Sequence, residues 1–230
     1  DGFVSRGLGD VYKRQDSNAS ARQKTQEGNY WDSFLNLDFD LDKRNQKYQA
    51  SEGFRSQYFL DLPLVSETAT LQNTYVFKYF TELFENNISS ASIFLRSSTS
   101  LKDENIKLSE RINIPSNRLR GFESGKVGPK DGNDFIGGNY AATINFTSSI
   151  PQILENSENI DFLVFFDAGN VWGVDYFDGD DEGSEIRSAT GVAVDWLTPV
   201  GPLNFTLALP VTKADNDKTE TFRFNIGTSF

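Results

Sequence analysis

Hydrophobic and polar residues alternate one by one along much of the chain, most clearly at its carboxy-terminal end. In residues 219–230, Phe222, Phe224, Ile226 and Phe230 fall on one face, and polar side chains dominate the other. A repeat of two residues is the period of a β-strand. A half-apolar strand that ends on an aromatic residue is typical of a barrel whose outer face meets lipid and whose inner face is polar.

The same alternation predicts about nine strands, most of them about ten residues long, which is the length that a tilted strand needs to cross a bilayer. They occupy residues 35–42, 54–62, 70–84, 88–101, 138–149, 160–171, 187–197, 203–211 and 219–230. A soluble β-sandwich is the alternative, but its strands are usually shorter. The sequence therefore predicts an all-β fold, an antiparallel transmembrane β-barrel.

The connections between these strands alternate between short and long. Residues 85–87 and 198–202 are tight turns, whereas residues 102–136 and 173–186 are long, charged and rich in glycine. Outer-membrane barrels have short periplasmic turns and longer external loops. If the carboxy terminus is periplasmic, the long connections lie outside the cell; residues 102–136 are called the long loop below.

The amino-terminal residues 1–29 are polar and lack periodicity, so we set them apart from the barrel at 30–230. Residues 6–15 resemble translated adapter sequence, and a genuine polar loop is the alternative. Nine strands is an odd number, whereas bacterial single-chain barrels have even numbers, and lipid does not tolerate an unpaired sheet edge. We therefore expect a fragment, the carboxy-terminal portion of a larger barrel, that does not close.

Composition removes several classes of function. The net charge of −11 argues against a nucleic-acid partner, which requires a basic face. The chain has no cysteine and no histidine, which excludes disulfides, Ser-His catalysis and histidine-ligated metal sites. The acidic residues at 175–185 are interpreted as a solvated loop, so neither a metal site nor a cofactor is predicted.

Several motifs resemble one family. Residues 118–123, Arg-Leu-Arg-Gly-Phe-Glu, are similar to the Arg-Gly-Phe motif of the BamA-like outer-membrane assembly family. Residues 165–172, Phe-Phe-Asp-Ala-Gly-Asn-Val-Trp, resemble its aromatic-x-Asp-x-Gly-x-Val strand, while residues 137–139, 196–203 and 217–230 resemble its preceding strand, next-to-last hairpin and closing strand. Each motif alone is a weak signal, but together they follow the family's order over about residues 30–230.

The resemblance implies a barrel of about sixteen strands, within the bacterial range, of which this chain is the second half. It also implies that the long loop folds into the lumen and is held there by a loop clamp. The clamp residues are Arg120, Gly121, Phe122 and Asp167.

The chemistry of the clamp fits these positions. Asp167 points into the lumen if its apolar neighbours Phe162, Val164, Phe166 and Ala168 face lipid. An arginine fork can bind a carboxylate through two hydrogen bonds, and glycine permits a tight turn. Many relatives add a glutamate near the end of the strand after the loop, where this chain has Asn145 and Thr147. We therefore expect the clamp to rest on Asp167 alone.

The resemblance implies a non-enzymatic component of an outer-membrane insertase in the bacterial outer membrane. Such a protein folds and inserts β-barrel proteins through a lateral seam, the junction between the first and last strands. Its implied partners are the lipid bilayer, unfolded β-barrel substrates and accessory lipoproteins. Residues Phe222, Phe224, Ile226 and Phe230 would form the gate strand, which also resembles the carboxy-terminal signal of barrel substrates. An autotransporter-assembly or two-partner secretion translocator of the same superfamily remains an alternative, as does a passive outer-membrane pore.

Overall fold

The computed structural model describes residues 3–5, 32–47, 49–66, 69–102, 104–151, 159–175, 185–199 and 201–226. These residues form twelve strands and one short 3-10 turn at Leu108–Glu110. The strands are β1 (Phe3–Ser5), β2 (Asp32–Asp42), β3 (Gly53–Ser66), β4 (Thr70–Thr81), β5 (Ser89–Ser100), β6 (Lys130–Asp131), β7 (Asp134–Phe135), β8 (Tyr140–Ile150), β9 (Ile160–Trp172), β10 (Arg187–Thr198), β11 (Gly201–Thr212) and β12 (Phe222–Ile226).

Ten of the described strands form one antiparallel sheet in the order β1-β2-β3-β4-β5-β8-β9-β10-β11-β12. The all-β antiparallel fold is therefore confirmed, and the nine predicted strands correspond to β2–β5 and β8–β12. The strand β1 pairs with β2 at the sheet edge, and the polar sequence of residues 1–29 does not predict it. The remaining pair, β6 and β7, forms a small hairpin within the long loop.

The two faces of the sheet differ as a barrel wall requires. One face exposes large apolar side chains from successive strands, among them Ile93, Leu95, Ile144, Phe146, Val164, Phe166, Val192, Leu207 and Leu209. The other face buries polar side chains, among them Ser92, Ser98, Thr143, Asn145, Asp167 and Thr206. In β9, the predicted alternation is confirmed, because Val164 and Phe166 are exposed while Asp167 between Phe166 and Ala168 is fully buried.

The sheet curls so that its inner face becomes concave. The Gln49 side chain, in the turn after β2, donates a hydrogen bond to Asp161 Oδ2 of β9 over 3.1 Å. In the sheet, β2 and β9 are separated by β3, β4, β5 and β8, so this contact bridges the concave side. The antiparallel order also places the long loop and the described residues 173–175 and 185–186 at the end of the sheet opposite residues 85–87, 198–199 and 201–202.

The sheet is open: among the described residues, no pairing joins β12 to β1 or β2. The expectation that these strands do not close into a barrel is thus confirmed. In the same residues, no helix is long and apolar enough to cross a membrane. The last strand begins later than the predicted residue 219, since residues 219–221 precede β12. Thr219 and Glu220 pair with the long loop, and the Thr221 carbonyl oxygen accepts a hydrogen bond from Ala208 of β11. Residues 6–15 and 227–230, including Phe230, lie outside the described residues.

Candidate functional site

The long loop lies against the concave face of the sheet and shares a hydrophobic core with it. Its buried side chains are Ile112, Ile114, Leu119, Phe122 and Val127, and they pack with Phe94, Ala141, Val171 and Ala189 of β5, β8, β9 and β10. The main chain of Ile112 also exchanges two hydrogen bonds with Gly138, of 2.8 and 2.9 Å. The loop is therefore a packed layer inside the wall.

Arg120 at the tip of the long loop binds Asp167 of β9 through both carboxylate oxygens. Arg120 Nε donates to Asp167 Oδ2 and Nη2 donates to Oδ1, each over 2.7 Å. The Arg120 main-chain N–H adds a third hydrogen bond to Oδ2 of 3.0 Å. The Asp167 side chain is 0% exposed and that of Arg120 is 15% exposed, so the pair is largely shielded from water. A paired fork of this kind fixes both position and orientation.

Two further side chains complete this contact, which differs from the expectation that Asp167 acts alone. Asn145 Nδ2 donates to Asp167 Oδ1 over 2.8 Å and to the Arg118 carbonyl oxygen over 2.7 Å. Arg120 Nη2 donates a longer hydrogen bond of 3.4 Å to Thr147 Oγ1. Strand register explains the difference: Asn145 is directly opposite Asp167 in the β8–β9 pair, and paired residues share one face.

Two of the three arginines of the long loop lie over aromatic rings of the wall. Arg120 Cζ lies 3.6 Å from the centre of the Phe165 ring, and Arg118 Cζ lies 4.6 Å from the centre of the Phe94 ring. Both contacts are cation–π interactions, which strengthen when water is excluded. Burial lowers the pKa of the Arg118 guanidinium, but arginine titrates so far above neutral pH that the side chain stays charged.

Gly121 allows the loop tip to turn against the wall. Its φ of +91° lies in a region that residues with a side chain rarely adopt. A β-carbon at Gly121 would lie 3.0 Å from the β-carbon of Ala189 and 3.3 Å from that of Ala208. The next residue, Phe122, is 2% exposed and belongs to the hydrophobic core. The structure thus brings all four predicted clamp residues to one place on the concave face.

The gate-strand residues lie apart from this cluster, on the opposite face of the sheet. Phe222, Phe224 and Ile226 are exposed on the outer side of β12, and the Phe224 ring centre is 4.9 Å from that of Phe205 on β11. The fourth residue, Phe230, lies outside the described residues.

Sequence reasoning missed a second contact between the long loop and the end of the chain. Phe122 forms an isolated antiparallel bridge with Thr219, just before β12. Arg223 of β12 donates to the carbonyl oxygens of Ser116 and Phe122 over 2.5 and 2.7 Å. The alternating pattern of this strand places Arg223 on the inner face, but it does not identify which residues Arg223 contacts.

A buried ion pair that sequence reasoning also missed orders the connection between β11 and β12. Arg187 Nε and Nη2 donate to the two carboxylate oxygens of Asp217 over 2.9 and 3.1 Å. Both side chains are 0% exposed. Asp217 Oδ2 also accepts a hydrogen bond of 2.8 Å from the Ala214 main-chain N–H. The residues leading into β12 are therefore held in place by β10.

The acidic loop is only partly described, since residues 176–184 lie outside the described residues. Asp175 at its start binds Arg111 Nη2 over 3.0 Å, accepts a hydrogen bond from the Ile106 main-chain N–H over 2.7 Å, and contacts Asn139. Within the described residues, no three histidine, cysteine or acidic side chains are grouped as a metal site requires. Asp175, in the described part of the acidic loop, thus binds two residues of the long loop and stabilises its position.

The chain matches the Omp85 superfamily domain over residues 7–230. It is similar to two curated proteins called outer membrane protein assembly factor BamA. The one from Neisseria meningitidis serogroup B is 30% identical over 139 residues, which covers 49% of this chain and 17% of that protein. The one from Neorickettsia risticii is 28% identical over 117 residues, which covers 50% of this chain and 16% of that protein.

A solved structure shares the fold. The crystal structure of BamA from Haemophilus ducreyi lacking POTRA domains 1–3 superposes with a TM-score of 0.75 at 24% identity, covering 85% of this chain and 42% of that chain. The chain thus spans less than half of that structure and a smaller part of the curated relatives. The predicted resemblance and the location in the bacterial outer membrane are confirmed, and the protein belongs to the Omp85 superfamily.

Proposed function

We propose that this chain forms part of an outer-membrane insertase, which folds and inserts β-barrel proteins through a lateral seam. The relatives called assembly factors support this role within the superfamily. The proposed activity is non-enzymatic, because strand pairing and burial exchange hydrogen bonds and surface without making or breaking a covalent bond. Its partners are the lipid bilayer, unfolded β-barrel proteins and accessory lipoproteins.

The observation that carries the proposal is the shielded, two-pronged contact between Arg120 and Asp167. In the proposed insertase, this contact would hold the wall in shape while the neighbouring seam opens. Removing one partner from such a pair leaves the other charge unpaired away from water, which is costly.

The last strand offers the pairing surface. Among the described residues, β12 pairs with β11 on one edge and has no partner strand on the other. A free edge presents main-chain N–H and C=O groups, to which an incoming strand can add by β-augmentation. The outward-facing Phe222, Phe224 and Ile226 would keep that edge at the depth of the lipid.

The test is insertion of a reporter barrel into lipid vesicles by the full-length protein that carries an Arg120→Ala substitution. Losing charged hydrogen bonds worth about 1.5–3 kcal/mol should slow insertion by about tenfold or more. Arg118→Ala is the matched control, because it removes the same charge and a cation–π contact of the same kind two residues away, but keeps every hydrogen bond to the Asp167 carboxylate. If folded Arg120→Ala protein inserts the reporter at the wild-type rate, the insertase proposal fails and a passive pore is favoured.

A further inference from the structure

We propose that Arg223 is a positioning residue that ties the long loop to the last strand and so sets how firmly β12 is held beside the seam. This inference rests on the proposed function for its effect on insertion. The tie itself is a structural claim, and it can be measured without any substrate.

The side chain of Arg223 connects three parts of the chain. Its two terminal nitrogens donate to the carbonyl oxygens of Ser116 and Phe122 in the long loop, over 2.5 and 2.7 Å. Its Nε donates to Glu220 Oε2 over 2.8 Å, and Nη2 also contacts that oxygen. The Arg223 side chain is 13% exposed, so these hydrogen bonds are mostly shielded from water.

The main chain continues the same connection. The Glu123 N–H donates to the Lys218 carbonyl oxygen over 2.9 Å, and the Glu220 N–H donates to the Gly121 carbonyl oxygen over 3.0 Å. Further along, the Lys218 N–H donates to the Lys126 carbonyl oxygen over 3.1 Å. The loop tip therefore pairs like a short strand with the residues that lead directly into β12.

The described part of the last strand gains from this support because its pairing stops early on one side. Among the described residues, five of β12 pair with β11, from Phe222 opposite Leu207 to Ile226 opposite Leu203. Beyond them the Ala208 N–H donates to the Thr221 carbonyl oxygen over 2.8 Å, whereas β11 continues to Thr212. Where a strand is paired on one edge, contacts from its inner face add directly to its resistance to local opening. Arg223 supplies such contacts from the concave side.

The two arginine contacts meet at the tip of the loop. Arg120 anchors the tip to β9, and the Phe122 carbonyl oxygen, two residues later, receives Arg223 of β12. A shift of the tip away from β9 therefore also displaces the Phe122 carbonyl oxygen that Arg223 contacts. The loop can thus link the state of the wall to the state of the seam strand.

The contact requires an arginine in particular. Two carbonyl oxygens and one carboxylate oxygen are reached at once from a planar fork, whereas a lysine ammonium is a single point of charge. Arg223→Lys should therefore retain the charge and lose part of the tie, and Arg223→Ala should lose all of it.

The test uses full-length protein in lipid vesicles and measures amide hydrogen exchange at residues 222–226 together with insertion of a reporter barrel. In Arg223→Ala protein, exchange at these amides should rise by about tenfold or more, because local opening becomes easier. Arg223→Lys should give an intermediate rise. Asn225→Ala, a change at another inward-facing position of β12, should leave exchange near the wild-type value.

A reversible cross-link provides the rescue. The chain has no cysteine, so Glu123→Cys with Lys218→Cys introduces a single pair at facing, exposed positions of the bridge. In the Arg223→Ala background, oxidation of this pair should restore the protection of residues 222–226. Oxidation should also slow insertion, and a reductant should reverse both effects.

Each outcome has a definite meaning. Wild-type exchange at residues 222–226 in both Arg223 variants overturns the inference. Raised exchange with wild-type insertion, in protein whose Arg120→Ala counterpart inserts slowly, overturns the link to the seam and leaves the insertase proposal intact. If neither substitution alters insertion while exchange rises, the tie stands and the proposed function fails.

Discussion

Asp167 shows how a carboxylate can be fully buried in this protein. Among the described residues it accepts three hydrogen bonds from Arg120 and one from Asn145. An unpaired buried charge would cost several kcal/mol, or about 3–5 when one partner of a pair is removed. The carboxylate is instead saturated by donors from the loop and the adjacent strand, so the loop and the wall stabilise each other.

At the scale of single residues, Gly121 provides a sharp test of the loop tip. Gly121→Ala places a β-carbon 3.0 Å from that of Ala189 and puts a side chain at a φ of +91°. Backbone strain should lower the free energy of unfolding by about 1–3 kcal/mol. The close contact with Ala189 should lower it further. Limited proteolysis of the folded protein should show faster cleavage within the long loop.

Gly132 gives the matched control for this substitution. It has a φ of +62° in the same loop, but a β-carbon there meets nothing within 4 Å. Gly132→Ala should therefore cost only the backbone strain. Equal cleavage rates for the Gly121 and Gly132 variants would contradict the close packing of the loop tip against Ala189 of β10 and Ala208 of β11.

At the scale of elements, each strand divides its residues between two environments. In β11, Leu207, Leu209 and Val211 are exposed on the outer side, whereas Thr206 and Ala208 are buried on the inner side. A strand of this kind satisfies its main chain through its neighbours and presents a different surface to each side. The outer surface is where lipid should contact the wall.

The position of a charge along β11 should reveal that lipid contact. Leu207→Arg lies near the middle of the strand and should destabilise the protein in vesicles by about 2–4 kcal/mol, because arginine is costly at the bilayer midplane. Val211→Arg lies near the strand end and should cost about 0–1 kcal/mol. Denaturant unfolding in vesicles measures both, and equal costs would count against a lipid-facing outer surface.

At the scale of the whole molecule, the long loop fills the concave side of the curved sheet. Ile112, Leu119 and Phe122 of the loop pack against wall residues contributed by four strands. A barrel of about sixteen strands would otherwise leave an aqueous channel. The loop therefore provides the wall with a core, and it joins the wall strands to β12.

A conductance measurement tests this filling role. Replacing residues 112–127 by a short flexible linker in the full-length protein should raise single-channel conductance several-fold, because the packed side chains no longer block the lumen. Shortening the tip of the β6–β7 hairpin at Gly132, where an added β-carbon would meet nothing within 4 Å, should change conductance little. A loop-deleted protein that is inserted in the bilayer and conducts like wild type would show that the loop does not fill the channel.

Much of the fold can be predicted from alternation, because the side-chain period of a strand is a local property. It predicts β9 with Asp167 inward and Phe166 outward, and it predicts the outward aromatic residues of β12. It misses β1, since three residues are too few to show a period. It also places Thr219 in the last strand, where the long loop captures it instead.

The sequence by itself determined which residues face inward, because backbone geometry alternates them, and the motif order pointed to Arg120 and Asp167. Only the tertiary structure decided which inward groups meet. Asn145 joins Asp167 through the β8–β9 register, and Arg223 reaches Phe122 through the path of the loop. These partners are 22 and 101 residues apart. Strand register and the path of the loop bring them together, and neither can be predicted from a local sequence pattern.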